Sequence, residues 1–308
     1  MKTKDVYLKT MKFVWLKLAL GAAMIVFSLL TLAICLLLGS LGNGGGLGIA
    51  FIIWLILVCG AYAGAERYIG YMLKAGHVAM VTTAVTTGTL PENQLEAAKQ
   101  MVKERFVAAN VYFFVDRMVS GAVSQLQRGL QKVDNLLGGI PRVSAIVSFA
   151  QMFVHIALGY IDECCLGYTF LHKEQSACKS AADGVVIYFQ NWKKLLKDAA
   201  VTTLIVMGIT LVAWVIPFAI FAAIFGALGV HWIFAFVIAV MFAAVMRSAF
   251  IDSYMMVKMM VSYMEVAPAT QITFDLYGKL CNLSGKFKRL FDRGQQEQQQ
   301  YGNMRTMY

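Results

Sequence analysis

Two stretches of the chain, Leu18–Ala65 and Ala199–Met246, each run 48 residues without one Asp, Glu, Lys or Arg. Every acidic and basic side chain lies outside them. The hydrocarbon core of a bilayer takes about 20 apolar residues per helical crossing, so each block has room for two crossings and a turn. The first turn reads Gly42-Asn43-Gly44-Gly45-Gly46, and the second falls near Gly226-Ala227-Leu228-Gly229. A charge at the centre of a lipid-facing helix costs roughly 2.5–3.5 kcal/mol, and uninterrupted neutrality is what that cost selects. The pattern predicts an all-α integral membrane protein with four spans arranged as two transmembrane helical hairpins. Aligned at an offset of 180 residues, Leu16-Lys17 meets Leu196-Lys197 and Gly46 meets Gly226. Such weak internal symmetry is common among transporters.

A third neutral run, Val143–Ile161, is long enough to cross but carries Ser144, Ser148, Gln151 and His155. It reads as one ambiguous membrane-embedded helix, either re-entrant at the interface or a full span. A lone crossing here would invert one hairpin. Elsewhere the period is helical and amphipathic. Thr89-Leu90-Pro91-Glu92 predicts a helix start, with Leu95, Val102 and Phe106 on one face. Val119, Val123, Leu126, Leu130, Val133 and Leu137 form a narrow apolar seam, suited to packing on the membrane domain, lying on the bilayer or pairing with a second copy. Phe250–Glu265 is rich in methionine and predicts a pliable core helix. Phe274–Arg293 predicts a basic amphipathic helix, and the glutamine-rich tail from Gln295 predicts disorder. Five segments result: 1–75 with the first hairpin, 76–142 with amphipathic cytoplasmic or interfacial helices, 143–198 with the ambiguous helix and a polar connector, 199–265 with the second hairpin and Met-rich helix, and 266–308.

Charge then orients the spans. The chain is 59% hydrophobic and 14% charged, with a net charge of +10 and mean hydropathy +0.65. Lys and Arg stay on the cytoplasmic side during insertion. Lys2, Lys4, Lys9, Lys12 and Lys17 precede the first block, and Arg67 and Lys74 follow it. Lys193, Lys194 and Lys197 precede the second, with Arg247 and Lys258 after it. Both hairpins are therefore expected to enter from the cytoplasm, leaving both termini there, in a multi-pass protein of the cell membrane. The positive balance is read as a match to anionic lipid, so the bilayer is the expected partner and nucleic acid is not. Cys35, Cys59, Cys164, Cys165, Cys178 and Cys281 show neither a zinc spacing nor a disulfide framework. The first apolar run is also too long for a cleavable signal core.

Signatures of catalysis, such as a P-loop, G-x-S-x-G or H-E-x-x-H, do not occur. His77, His155, His172 and His231 are scattered. Neither an enzyme nor a metal or other cofactor is expected. The most informative polar stretch is Tyr160–Lys197, which holds Asp162, Glu163, Tyr188 and Trp192. Carboxylates beside aromatic rings suit an organic cation, because ring faces attract quaternary ammonium. The same residue types also recur at membrane interfaces.

Tyr160-Ile161, Gly167 and Phe170, followed by Ser180-Ala181-x-Asp183 and Asn191, resemble a segment of the choline transporter-like membrane proteins, over about 160–265. That family carries a tyrosine-isoleucine pair, a glycine and a phenylalanine at similar spacing, then Ser-Ala-x-Asn/Asp and a further Asn, ahead of a late hairpin. This chain departs from it by five extra residues near Leu171–Gln175, by its shorter set of spans and by lacking the family's large extracellular loop. The resemblance implies transport of choline or a related small organic cation. On that reading Asp162 and Glu163 supply charge near a cytoplasmic mouth, while Tyr160, Tyr188 and Trp192 supply rings. Ser180, Asp183 and Asn191 form the structural connector to the second hairpin. The rival expectation is a non-transporting scaffold or assembly subunit, pairing as a homo-oligomer or holding partners through the 119–137 helix.

Overall fold

The computed structural model describes residues 2–40, 46–65, 69–106, 114–125, 128, 159–227 and 232–305. Among them no strand occurs. Three helical stretches, Met11–Gly39, Gly48–Ala65 and Phe236–Ala269, are long and apolar enough to cross a membrane, which fits a membrane protein. Gly208–Ile224 is a shorter apolar helix. The helices in chain order are α1 (Thr3–Lys9), α2 (Met11–Ser40), α3 (Gly46–Ala65), α4 (Tyr71–Thr87), α5 (Gln94–Arg105) and α6 (114–125). They continue as α7 (Ile161–Leu171), α8 (Ala177–Gln190), α9 (Trp192–Ala227), α10 (Trp232–Met246), α11 (Ser253–Val266), α12 (Phe274–Leu283) and α13 (Gly285–Arg305). A π-helical turn, Arg247–Asp252, joins α10 to α11. The structure divides into two units: Met1–Thr10, Ala75–Ile205 and Met255–Tyr308 form one, and Met11–Lys74 with Val206–Tyr254 form the other.

In the second unit α2 and α3 pack side by side. A Cβ on Gly46 would collide with the Gly39 carbonyl oxygen, so only glycine permits that approach. Further along, the Trp54 indole N–H donates to the Ser28 carbonyl at 2.9 Å. Leu32, Cys35, Ala50 and Trp54 make the buried seam, and Gly21 of α2 lies against Val245 of α10. Leu30, Ile34, Ile52 and Ile56 are exposed on the outer faces. Apolar surface on this scale fits contact with hydrocarbon. Trp214 stacks on Phe218, and Phe236 meets both rings edge-on.

The first unit has an interior of its own. Met80, Ile161, Ile187, Leu195, Met255, Met259 and Met260 are fully buried. Methionines of α11 pack around Gly167 of α7, where an added Cβ would lie 2.8 Å from the Met264 methyl. The helix anticipated from Thr89–Glu92 begins at Gln94 instead. Asn93 caps it by accepting from the Glu96 N–H at 3.3 Å, a contact that satisfies one of the orphan donors of the first turn. Its inward face is Gln94, Ala98 and Val102, with Phe106 buried beyond its end and Leu95 turned outward.

Two further expectations meet a different structure. The basic helix is broken at Ser284, so α12 and α13 are separate, and the Ser284 hydroxyl caps α13 by accepting from the Phe287 N–H at 3.1 Å. The glutamine-rich tail continues α13 as helix to Arg305. Glutamine is a good helix former, and one face of this stretch docks on α8, where a Cβ on Gly294 would lie 2.7 Å from the Lys179 backbone nitrogen. In the apolar seam, Val119 and Val123 are buried within the unit. Leu126, Leu130, Val133 and Leu137, and all of Val143–Ile161 up to residue 158, lie outside the described residues.

Candidate functional site

The chemistry-bearing stretch folds as α7, a short loop and α8. Asp162 and Glu163 occupy the first turn of α7, where carboxylates favour the positive end of the helix dipole. Glu163 is buried and Asp162 half-buried. Tyr160 sits at the N-cap of the same helix. α7 and α8 approach closely where Gly184 faces Cys165, an added Cβ there lying 3.1 Å from its Cα.

That contact puts Tyr188 in the interior at 1% exposure. Its ring stacks on Tyr263 with centroids 6.1 Å apart, and the Tyr263 hydroxyl donates to the Gly184 carbonyl at 3.2 Å. Tyr168 meets Tyr263 edge-on and stacks on His172 at 3.9 Å. Burial, reinforced by Cys164, Cys165 and Glu163, pushes the Tyr188 phenol well above its ordinary value. Burial likewise raises the Cys164 and Cys165 thiols, helped by the neighbouring carboxylates. These two thiols are therefore neutral apolar fillers, far from the thiolate that metal binding requires.

Asp183 is the polar hub of α8. It is buried and pairs with Lys179 at 2.5 Å, while the Tyr277 hydroxyl of α12 donates to the same carboxylate. Burial raises the Asp183 carboxyl above its ordinary value, against the lowering pull of Lys179 and His172. The Lys179 ammonium also lies 5.6 Å from the Tyr277 ring centroid. Ser180 donates to the His172 carbonyl at 3.2 Å and accepts from the Arg105 guanidinium at 3.0 Å. Arg105 further donates to the carbonyls of Gln175 and His172. The guanidinium thereby ties α5 to the loop between α7 and α8. Asn191 donates to Thr270 Oγ1 at 2.9 Å, and Gln190 donates to the Gln271 carbonyl at 2.8 Å.

Together these bonds join α8 to the segments after α11. Tyr188 and Glu163 are both buried, while Trp192 stands at the start of α9, 45% exposed. Asp183, Ser180 and Asn191 all make bonds between helices. The residues that sequence reasoning left out are Arg105, Tyr263 and Tyr277. Each acts across a long sequence separation, and none has a local motif.

In the second unit, a cavity of about 70 Å³ is lined by Leu29, Leu32, Phe51, Trp54, Val237, Ile238 and Met241, with Ser28 as its polar member. No group of His, Cys, Asp or Glu side chains among the described residues is arranged to hold a metal ion. Comparisons with protein-family models, with curated proteins and with solved structures found no match to this chain.

Proposed function

We propose that the chain is a non-transporting scaffold of the cell membrane, with four spans in two hairpins and both termini cytoplasmic. The observation carrying this reading is the cavity among α2, α3 and α10. At about 70 Å³ and with an apolar lining, it is far below the roughly 300–1,000 Å³ typical of small-molecule sites. The larger space, an open depression of about 600 Å³ over Phe114, Arg289, Asp292, Arg293, Gln296 and Glu297, lies on the first unit and not among the apolar helices. The connector supports the same reading. Asp183 with Tyr277, Ser180 with Arg105, and Asn191 with Thr270 tie α8 and its C-terminal residue to α12, to α5 and to the segment after α11, as a rigid platform requires.

One observation favours passage of a choline-like cation. Asp162 and Glu163 stand in the first turn of α7, and the stacked Tyr188–Tyr263 ring pair lies in the same unit, the two ingredients of a quaternary-ammonium site. Uptake of labelled choline into vesicles containing the purified protein separates the two readings. A scaffold gives uptake equal to protein-free vesicles. Saturable uptake abolished by Asp162→Asn with Glu163→Gln would replace the scaffold reading with transport. The topology has its own test: a glycosylation acceptor inserted at Gly44 is expected to be modified in microsomes, and one at Lys2 is not.

A further inference from the structure

α9 opens with Trp192-Lys193-Lys194-Leu195-Leu196-Lys197. At 3.6 residues per turn, Lys193, Lys197 and Lys194 fall within an arc of about 100°. Leu195 points the other way and is fully buried in the first unit. Trp192, Lys193, Lys194 and Lys197 are all exposed. From Ala199 to Ala227 the same helix carries no charge. The three ammonium groups thus stand within two helical turns of the point where the helix becomes continuously apolar.

We propose that Lys193, Lys194 and Lys197, with Trp192 beside them, hold the phosphodiester of an anionic glycerophospholipid where α9 leaves the bilayer. The proposal rests on α9 being a span, as in the membrane reading above. Charge and depth both fit. A lysine ammonium offers three donors on a flexible stem; the indole of Trp192 has the amphipathic character favoured at head-group level. Two acids border the patch: Glu265, 3.6 Å from the Lys194 ammonium, and Asp198. Glu265 positions Lys194 while leaving donors of that ammonium to face the phosphate, and Lys193 and Lys197 supply the remaining positive charge.

The test is thermal unfolding of the full-length protein in neutral detergent, titrated with phosphatidylglycerol, phosphatidylcholine or inorganic phosphate. Ligand that binds the folded state raises the melting temperature. Phosphatidylglycerol is expected to stabilise saturably, and the other two are not. The variant K193Q/K194Q/K197Q should melt cooperatively without lipid and need a roughly tenfold or greater concentration of phosphatidylglycerol for half its effect, since the attraction of basic residues to anionic head groups is lost with their charge. K288Q/R289Q, which removes exposed charge from α13, should respond as the parent does. The proposal is overturned if the triple variant keeps the parent's response, if the α13 variant loses it equally, or if inorganic phosphate stabilises as well as the lipid. Extraction of membranes with alkaline carbonate reports separately on the membrane reading: release of the protein into the supernatant sinks that reading, whatever the lipid titration shows.

Discussion

The two units of this chain distribute apolar side chains by opposite rules. In the unit built from α4–α8 and α11–α13, the large apolar residues Met80, Ile187, Met259 and Phe287 are fully buried. In the unit containing α2, α3 and α10, Leu30, Ile34, Ile52 and Ile56 are exposed while small residues such as Gly21, Gly39 and Ala50 line the contacts. The first arrangement is what water selects, by removing apolar area from solvent. The second is what hydrocarbon selects: lipid tails give no drive to bury leucine, and small residues let backbones approach. Polar bonding divides likewise. The first unit carries Asp183–Lys179, Arg105–Ser180 and Asn191–Thr270. In the second, the Trp54 indole of α3 donates to the Ser28 backbone carbonyl of α2, and Lys17 near the start of α2 donates to the Ser253 hydroxyl.

The sharpest test of this contrast uses two leucines of equal exposure. Leu30 of α2 is 61% exposed and Leu283 of α12 is 63% exposed. If hydrocarbon surrounds Leu30, Leu30→Asp should cost roughly 3 kcal/mol and strongly reduce membrane insertion, whereas Leu283→Asp should change stability by about 0.5 kcal/mol or less. Insertion assays and melting curves of the two variants read this directly. Equal effects would erase the distinction between the units.

Next in size is the hub of α8. Asp183→Ala leaves the Tyr277 hydroxyl and the Lys179 ammonium without the carboxylate they share, and should cost about 3 kcal/mol. The comparison variant Asp183→Asn keeps shape and an acceptor, and its effect lies in the pH dependence. The folded carboxyl is raised above its ordinary 3.8, so the folded state holds this proton to higher pH than the unfolded chain does. As pH rises from that value through the folded pKa, the folded form binds more protons than the unfolded, and stability falls. Asp183→Asn should remove this fall. Melting temperature followed upward from pH 4 for both proteins measures it; identical slopes would mean that Asp183 does not titrate anomalously.

How much of this was legible in the sequence follows the same division. Leu18–Ala65 declares its environment residue by residue, because every charged position would be penalised independently of the fold. Helix α2 ends at Ser40 and α3 begins at Gly46; residues 41–45, most of the expected turn, lie outside the described residues. The first unit gave its helical periods but not its joints. Tyr277 meets Asp183 across 94 residues and Tyr263 meets Gly184 across 79. Side-chain bonds between distant helices leave no periodicity to detect. The cap at Asn93 is legible as an Asn followed three residues later by Glu96; Pro91, two residues earlier, is the stronger helix-start signal and draws the expected start to Thr89–Glu92. Asn93→Ala should cost about 1 kcal/mol, read by chemical denaturation.

The smallest effect concerns the segment for which composition and structure disagree most. Five glutamines in six positions from Gln295 suggest a chain with too little apolar surface to order itself. α13 nonetheless continues through them, because order here is supplied from outside the segment. The Ser176 N–H, at the N-cap of α8, donates to the Gln298 side-chain oxygen at 3.1 Å, and the Ser176 hydroxyl faces the Gly294 carbonyl at 3.4 Å. One glutamine thus does for α8 what a capping side chain does from within a helix. Gln298→Ala should cost no more than about 1 kcal/mol and speed amide exchange at the start of α8. Gln299→Ala, one position away on the exposed side of α13, should leave that exchange unchanged. If both variants behave alike, docking of the tail owes nothing to this bond, and the glutamine run is helical by propensity alone.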